Sequence, residues 1–572
     1  MEVNVRQCAA VLVKALLLVA CGGGSGGSEP VAPAPPPASP LSRADAFRLA
    51  EQATFGPSEA LLSSMTQYTA AAWVKAQLAS SGSRYSLGQG DAIHREVSGK
   101  DFCSLPAYAG PNCWRDWFST QPLAWDFYRN ATTQPDQLRQ RVALALQQIV
   151  VVNNQEVEGA YGFRLYYNRL LDLSFGNYRD VLRMVSLSPV MGEFLNNVNN
   201  DTAAPNENFS RELLQLFSIG TCELNPDGSL KGGACAASYN NEQVRAYAYA
   251  LTGWTYPEGG QSAKNCRPKG ANCRYLGGDM VPLPRLRDEA ARTLLSGVSV
   301  PASSTAPQAL EKVLDSLMQH PNMPPFIGRQ LILHLVSSNP SSAYVQRVAQ
   351  AFANGSFAAQ GLSFGSGQRG DLAATVAAVL LDMEARGDEP RTAQGGKLRE
   401  PALYFTGVVR ALNGQTDGND FTWWWGNGLQ QHLFRPASVF NFYPPDFPVA
   451  GTTLRGPAFG IHNANTGIQR LNFLTYLLFW NGSGPDNSVP GATGTRISTT
   501  AFEADAGQSS VLVDRLAGLC CGTRLSPSAR AEVLRAVDSI AADAKNNPGW
   551  ARDRVLQAAY LLWASPAHQV QQ

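Results

Sequence analysis

The spacing of apolar residues predicts a helical protein. Windows in which apolar side chains recur at positions i, i+3 and i+4 are typical of helices that bury one face. Such windows span residues 44–53, 137–152, 164–173, 178–186, 205–218, 242–251, 306–320, 325–336, 342–353, 371–383, 401–412, 526–545 and 551–565. Strand patterns are few by comparison, so we predict an all-α fold.

The best strand signal is a short hairpin at residues 223–230. Its centre holds Asp227 and Gly228, a pair that favours the tight turn of a two-stranded hairpin. Cys222 and Cys235 flank the segment and would close it. The predicted fold is therefore one large multi-helix domain with a small β-hairpin insertion.

The first residues predict export. Arg6 gives a basic start, residues 9–20 are mostly apolar, and Ala20 precedes Cys21. This run resembles the lipobox of bacterial lipoproteins, whose signal is cut before a cysteine that is then acylated. The resemblance implies a lipid on Cys21 and, because Gly22 rather than Asp follows, an outer-membrane lipoprotein facing the periplasm or the cell surface. An ordinary secretory signal is the alternative.

The chain divides into three predicted parts. Residues 1–21 are the signal peptide, and residues 22–40 are a tether that is rich first in Gly and Ser and then in Pro. Residues 41–572 form one helical domain. No later run has the roughly 18 consecutive apolar residues of a membrane helix, so we expect membrane contact through the N-terminal lipid only.

The cysteines predict disulfides. Ten occur, of which Cys8 and Cys21 lie in the signal region. An even, closely paired set in an exported protein is typical of disulfide bonds. The eight others lie in close pairs, Cys103 with Cys113, Cys222 with Cys235, Cys266 with Cys273, and the adjacent Cys520 and Cys521. The sequence does not fix which of them bond to one another, and a bond between Cys520 and Cys521 would be strained. No histidine lies at ligand spacing from them, so we expect no metal.

The charge balance and the glycine spacing argue against nucleic-acid binding and dinucleotide binding. The 46 basic and 45 acidic residues give a net charge of +1, so nucleic acid is not an expected partner. Gly365, Gly367 and Gly370 have the spacing of a dinucleotide-binding loop, but no strand precedes them. We therefore expect no cofactor.

The segment 205–218 carries the clearest candidate chemistry. On a helix its apolar residues share one face, and a polar arc lies opposite. That arc comprises Glu207, Asn208, Arg211, Glu212 and Gln215. The arc is either a solvated surface or the wall of a cleft. In a cleft, Glu207, Arg211 and Glu212 are the catalytic candidates, and Asn208 and Gln215 would bind ligand.

Two further segments suggest ligand binding. Trp423 and Trp424 lie in a Gly- and Asn-rich stretch, which suits a sugar ring or, alternatively, a loop packed into the core. His462 lies in a loop near Asn463 and is the histidine with most freedom to act, although a structural role is the alternative.

The segment 206–220, Asn-Glu-Asn-Phe-Ser-Arg-Glu-Leu-Leu-Gln-Leu-Phe-Ser-Ile-Gly, resembles the signature of the bacterial DUF 1800 family. Another matching block ends at Trp254, which is a further candidate for ligand binding. Further blocks follow the family's order at residues 53–57, 137–143, 175–180, 250–254, 320–331, 370–372, 397–401 and 435–443. The resemblance spans about residues 43–480 and extends toward the end of the chain.

The resemblance implies an exported helical protein without a settled activity. Members are often encoded beside DUF 1501 proteins, which resemble sulfatases and alkaline phosphatases, so such a protein is an expected partner. This chain departs from the family in two places. Leu286-Arg287-Asp288 stands where many members have a His-Asp pair, and residues 146–150 replace a histidine-containing run. Any chemistry of those histidines would be lost here.

Two functions remain open. The leading hypothesis is an envelope-anchored scaffold or binding module that works with a sulfatase-like partner. The alternative is a hydrolase or lyase that acts on an envelope or extracellular polysaccharide through a carboxylate-lined helical cleft. Glu207 and Glu212 would lie roughly 140° apart around a helix, so they cannot face one another as a catalytic pair.

Overall fold

The computed structural model describes residues 39–261, 266, 268–387 and 395–572. These residues fold mainly as helices. The α-helices, α1 to α23 in chain order, are Arg43–Ala53, Glu59–Met65, Ala70–Ala79, Ala92–Arg95, Gln121–Thr133, Gln137–Ile149, Ala160–Leu173, Tyr178–Leu187, Pro189–Phe194, Asn208–Gln215, Asn241–Ala250, Ala306–Gln319, Met323–Leu335, Ser342–Asn354, Leu372–Leu381, Pro401–Ala411, Trp425–Gly428, Ala464–Leu478, Thr500–Glu503, Ser509–Cys520, Pro527–Asp538, Trp550–Ala564 and Pro566–Gln569. The all-α prediction is confirmed.

The strands are short and form two-stranded antiparallel sheets. Strands β1 to β8 are Trp254–Thr255, Val281–Pro282, Arg292–Thr293, Ser299–Val300, Phe357–Ala359, Leu362–Phe364, Lys397–Leu398 and Val570–Gln571. Each odd-numbered strand pairs with the next one. In the last pair Lys397 lies opposite Gln571, so the end of the chain fixes the backbone that carries Lys397.

Helices α6 and α16 lie in the interior. Every residue of α6 except Arg139 is buried, and so is every residue of α16 except Arg410. A helix buried on all sides must find partners within the protein for each of its polar side chains. The polar side chains of these two helices therefore form a network of polar contacts inside the core.

The predicted helix windows all contain a helix, with ends that differ by a few residues. Two windows are shortened most, 526–545 to Pro527–Asp538 and 205–218 to Asn208–Gln215. Four helices of ten or more residues were not predicted: α3, α5, α18 and α20. Helix α5 begins with Gln121 and Pro122 and ends in two threonines, so its local propensity is weak. The burial of Trp125 and Tyr128 stabilises it instead.

The predicted hairpin is present as a compact turn. Leu224 and Leu230 form an isolated antiparallel bridge, and the Asn225 amide donates to the Ser229 carbonyl at 2.9 Å. Gly228 has a φ of +77°, which the turn requires. The Cys222–Cys235 disulfide closes the segment as predicted.

Two of the other close cysteine pairs are also bonded, Cys103–Cys113 and Cys266–Cys273. The prediction for Cys520 and Cys521 is wrong, because both are free, buried thiols. Cys520 ends helix α20, and a bond to its neighbour would distort the helix end. The three disulfides indicate an extracellular or periplasmic protein.

Within the described residues, helices that combine the length and the apolar character needed to cross a bilayer are not found. The predicted signal peptide, Cys21 and nearly all of the tether lie outside the described residues.

We expect Gly56→Ala to destabilise the protein by more than about 2 kcal/mol. Gly56 has a φ of +123°, and a Cβ there would lie 2.5 Å from the Gly407 Cα of helix α16. Urea unfolding measures the loss. Gly518→Ala is the matched control, because that helical position has no atom within 4 Å of a new Cβ. Equal unfolding midpoints for the two variants would contradict the close packing of Gly56 on α16.

We also expect the unfolded, unreduced protein to show two more reactive thiols than its Cys520→Ser/Cys521→Ser variant, since both thiols are free. Titration with a thiol reagent in denaturant counts them. The three disulfides are common to both proteins and cancel in the comparison. Equal counts would mean that the two cysteines are bonded.

Candidate functional site

A small cavity with several polar lining residues lies where helices α6 and α13 approach strand β7 and the loop 439–445. We call it the polar chamber. Its volume is about 50 Å³, which accommodates a few waters or one carboxylate-sized group. The polar part of its lining is formed by Gln148, Gln330, His334, Ser338, Lys397, Asn441 and Tyr443, and the rest of the lining is apolar.

Glu400 lies behind the chamber wall at the start of helix α16. One carboxylate oxygen, Oε2, accepts hydrogen bonds from Gln148 Nε2 at 3.0 Å, Gln431 Nε2 at 2.7 Å and the Tyr443 hydroxyl at 2.8 Å. Burial raises the pKa of the Glu400 carboxyl, but Lys397 and Arg141 lower it by more, so it stays ionised. The positive end of the helix dipole adds to this effect.

Two buried cations lie near this carboxylate. Lys397 Nζ donates to the His334 carbonyl oxygen at 2.5 Å, and Arg141 Nη2 reaches the Gln52 carbonyl at 3.4 Å. Burial lowers the pKa of Lys397 to about 8, although Glu400 opposes the shift. Burial likewise lowers the pKa of Arg141 to about 10. At neutral pH the two cations face one carboxylate, which leaves a surplus positive charge beside the chamber.

His334 lies close to the positive charge of Lys397. Burial and the neighbouring Lys397 lower the pKa of its imidazole to about 3. The ring is therefore neutral at physiological pH, and one of its nitrogens is free of a proton. A neutral imidazole at the wall of a cavity can accept a proton from a bound molecule.

Two amide oxygens have no partner. Gln148 Oε1 and Gln330 Oε1 are buried without a hydrogen bond. The Gln148 amide cannot simply be reversed, because its Nε2 already donates to Glu400. A buried acceptor without a donor costs about 1–3 kcal/mol. Both oxygens could be satisfied by hydroxyl or amine donors of a molecule in the chamber.

A wider cleft adjoins the chamber. Its volume is about 470 Å³, and it shares Leu216, Gln330, Phe440 and Pro445 with the chamber. We call it the entrance cleft. Arg329, Arg455 and Asp446 also line it. The arrangement suits an extended molecule that lies in the cleft and places one substituent in the chamber.

The predicted polar arc of helix α10 divides between surface and cleft. Glu207 pairs with Arg211 at 3.1 Å and with Arg245 at 3.3 Å, and both arginine side chains are well exposed. Asn208 contacts Asn196. Gln215, at the end of the helix, lines the entrance cleft. Only this end of the predicted arc reaches the cavity described above.

Glu212 differs from its neighbours because it is buried, with an Oε2 atom that has no hydrogen-bond partner. Burial raises the pKa of this carboxyl. It does not line the chamber or the entrance cleft. The structure therefore does not bring Glu207, Arg211 and Glu212 together around one cavity, and their catalytic role stays a prediction.

The other predicted ligand contacts are scattered. Trp254 is buried in strand β1, and Trp423 donates from its indole to Gln121 at 2.6 Å. Trp424 is exposed. His462 is half-buried, and burial followed by the charge of Arg470 lowers its pKa. None of these four lines the polar chamber.

Sequence reasoning missed Lys397, Glu400 and Tyr443. They lie in two of the segments that carry the family resemblance, residues 397–401 and 435–443. The sequence signal that could have revealed them is the run of charged residues Lys397, Arg399 and Glu400 directly before an apolar helix. Burying such charges is costly unless each one is paired.

Among the described residues, groups of three or more His, Cys, Asp or Glu side chains that could hold a metal ion are not found. A family model described as "Protein of unknown function (DUF1800)" matches residues 48–570. The resemblance seen in the sequence is therefore confirmed over nearly the whole chain. No curated protein and no solved structure matches the chain.

The site predicts a stability difference that depends on pH. Lys397 has a pKa of about 8 when folded and about 10.4 when unfolded, so the unfolded chain binds more protons between these values. The contribution of Lys397 to the free energy of unfolding therefore increases as pH rises through this window, by roughly 3 kcal/mol in total.

Urea unfolding of the wild type and Lys397→Met from about pH 7.5 to 10.5 measures this contribution. We expect the free energy of unfolding of the wild type to increase relative to that of the variant as pH rises. A constant difference would mean that the lysine titrates normally.

Proposed function

The chain belongs to the DUF1800 family of proteins of unknown function, and we propose that it is an exported acid–base enzyme acting on an acidic polysaccharide. The polymer lies in the entrance cleft, and the carboxylate of one sugar unit enters the polar chamber. Cleavage follows by elimination or by hydrolysis, so the enzyme is a lyase or a hydrolase.

The observation that carries this proposal is the surplus positive charge beside an amide-lined chamber. Lys397 and Arg141 face a single carboxylate, Glu400, whose hydrogen-bonded oxygen already has three donors. An anionic group in the chamber would pair with Lys397, which is one of the residues that line the cavity. Hydroxyl groups of the same sugar unit would donate to Gln148 and Gln330, whose oxygens have no partner.

The residues also have protonation states that suit proton transfer. Lys397 neutralises the bound carboxylate, which makes the proton on the adjacent carbon more acidic. His334 has a pKa of about 3 in the free protein because of burial and Lys397. The bound carboxylate offsets the Lys397 charge and raises the pKa of this imidazole, which then accepts the proton. In an elimination the bond from the neighbouring carbon to the leaving sugar oxygen then breaks, a double bond forms between the two carbons, and water protonates the leaving oxygen.

We place this activity in the cell envelope. The disulfides are consistent with an oxidising compartment, and the lipobox-like run before Cys21 supports an outer-membrane lipid anchor. A sulfatase-like DUF 1501 partner stays a prediction from the family resemblance.

The purified full-length protein should cleave at least one carboxylated polymer from a panel of polygalacturonate, alginate, hyaluronan and chondroitin, and should leave a neutral glucan intact. Ultraviolet absorbance reports the unsaturated product of a lyase, and reducing ends report hydrolysis. We expect Lys397→Met mainly to raise KM, because it removes the counterion. His334→Gln should mainly lower kcat, by roughly 10²–10⁴-fold.

Lys312→Met is the control, since Lys312 is about half exposed and lies near Asp315 on the surface. It should leave activity unchanged. Binding without cleavage that is lost in Lys397→Met would favour a binding module over an enzyme. Neither binding nor cleavage of any acidic polymer would overturn the proposal.

A further inference from the structure

A second cleft lies between helices α17 and α18, and it is aromatic. Its volume is about 560 Å³, which is much larger than the polar chamber. We call it the aromatic cleft. Its lining consists of Asp420, Trp424, Trp425, Gln469, Asn472, Thr475, Tyr476, Trp480 and Ser483. The lining of the polar chamber has no residue in common with it.

Two indoles of this cleft are unusually exposed. Trp424 is 74% exposed and Trp480 is 73% exposed. Full exposure of a large apolar ring forfeits the stabilisation of roughly 1.5–3 kcal/mol that burial would provide. Trp425, directly after Trp424, shows the contrast: it is buried against Phe473 and Tyr476. The exposed pair is therefore not required by the packing of the core.

The floor of the cleft is polar and held in place. Asp420 accepts hydrogen bonds from the hydroxyls of Tyr476 at 2.5 Å and Ser483 at 2.6 Å. This ties the loop that carries Trp424 to helix α18 and to the segment after it. The cleft is thus supported on three sides.

Amide groups lie along one wall. Asn472 contacts Gln469 only weakly, at 3.4 Å, and Asn472 is exposed. Flat indole faces with amides beside them match the two surfaces of a pyranose ring, which has an apolar face of C–H groups and an edge of hydroxyls. Basic side chains are absent from the lining described above, which disfavours the anionic headgroups of a lipid surface.

We propose that the aromatic cleft is a carbohydrate-binding site that holds pyranose units of a polysaccharide by stacking on Trp424 and Trp480. It is separate from the polar chamber and does not depend on catalysis there. Together with the chamber it would hold an insoluble or long polymer near the protein, while the chamber acts on one sugar unit.

Native gel electrophoresis in gels that contain a soluble polysaccharide tests the proposal. Suitable probes are xylan, β-glucan, galactomannan, polygalacturonate and alginate. At least one should retard the full-length protein. Trp424→Ala and Trp480→Ala should each weaken this retardation by roughly tenfold in apparent affinity. Because both side chains are exposed, the variants should unfold at the temperature of the wild type.

Trp114→Ala is the matched control, since Trp114 is also an exposed indole, at 45%, but lies outside the cleft. It should be retarded like the wild type. Asn472→Ala should weaken retardation as well, because it removes an amide that faces the hydroxyls. Trp480→Phe should recover part of the affinity that alanine loses.

Three outcomes would overturn the proposal: no retardation by any probe, equal retardation of all variants, or binding to phospholipid vesicles that Ile468→Ala and Trp480→Ala abolish and Asn472→Ala leaves intact. The last would identify a membrane contact, since Ile468 is an exposed apolar residue on α18. Lys397→Met should still be retarded by the neutral probes, xylan, β-glucan and galactomannan, so failure of the polar chamber and failure of this site are distinguishable.

Discussion

The buried carboxylate of Glu400 is the interaction on which the described site depends. An isolated ion in a protein interior is costly, so it persists only where hydrogen bonds and opposite charges surround it. Here three donors come from three separate segments: Gln148 on α6, Gln431 after α17, and Tyr443 in the loop before α18. Glu400 thus fixes the relative positions of the elements that form the polar chamber.

The surplus cation follows from the same arrangement. Lys397 is held on strand β7 by pairing with the last strand of the chain and by its bond to the His334 carbonyl. Burial is the main cause of the low pKa of His334, and the charge of Lys397 lowers it further and supports the ionised state of Glu400. One buried lysine therefore contributes to the protonation states on both sides of the chamber, which makes it the central residue of the proposed chemistry.

The parts of the fold that depend on local sequence patterns could be predicted from the sequence. Apolar spacing located most of the long helices. The candidate site was harder to predict, because Gln148, Lys397 and Tyr443 are far apart in the chain and nothing in their local sequence shows that they meet. The sequence places Glu207 and Arg211 on one polar arc of a helix, but spacing alone cannot show which face of a helix meets a cavity. That depends on long-range packing, which places only Gln215 at the entrance cleft.

The most direct test is the pKa of Lys397 in the full-length protein, measured by NMR on ¹³Cε-labelled lysine and assigned with Lys397→Met. The account predicts titration near pH 8 in the free protein and a higher pKa when an acidic oligosaccharide binds, because the bound carboxylate stabilises the ammonium form. A value near 10.4, as in an exposed lysine, with no change on binding, would contradict it.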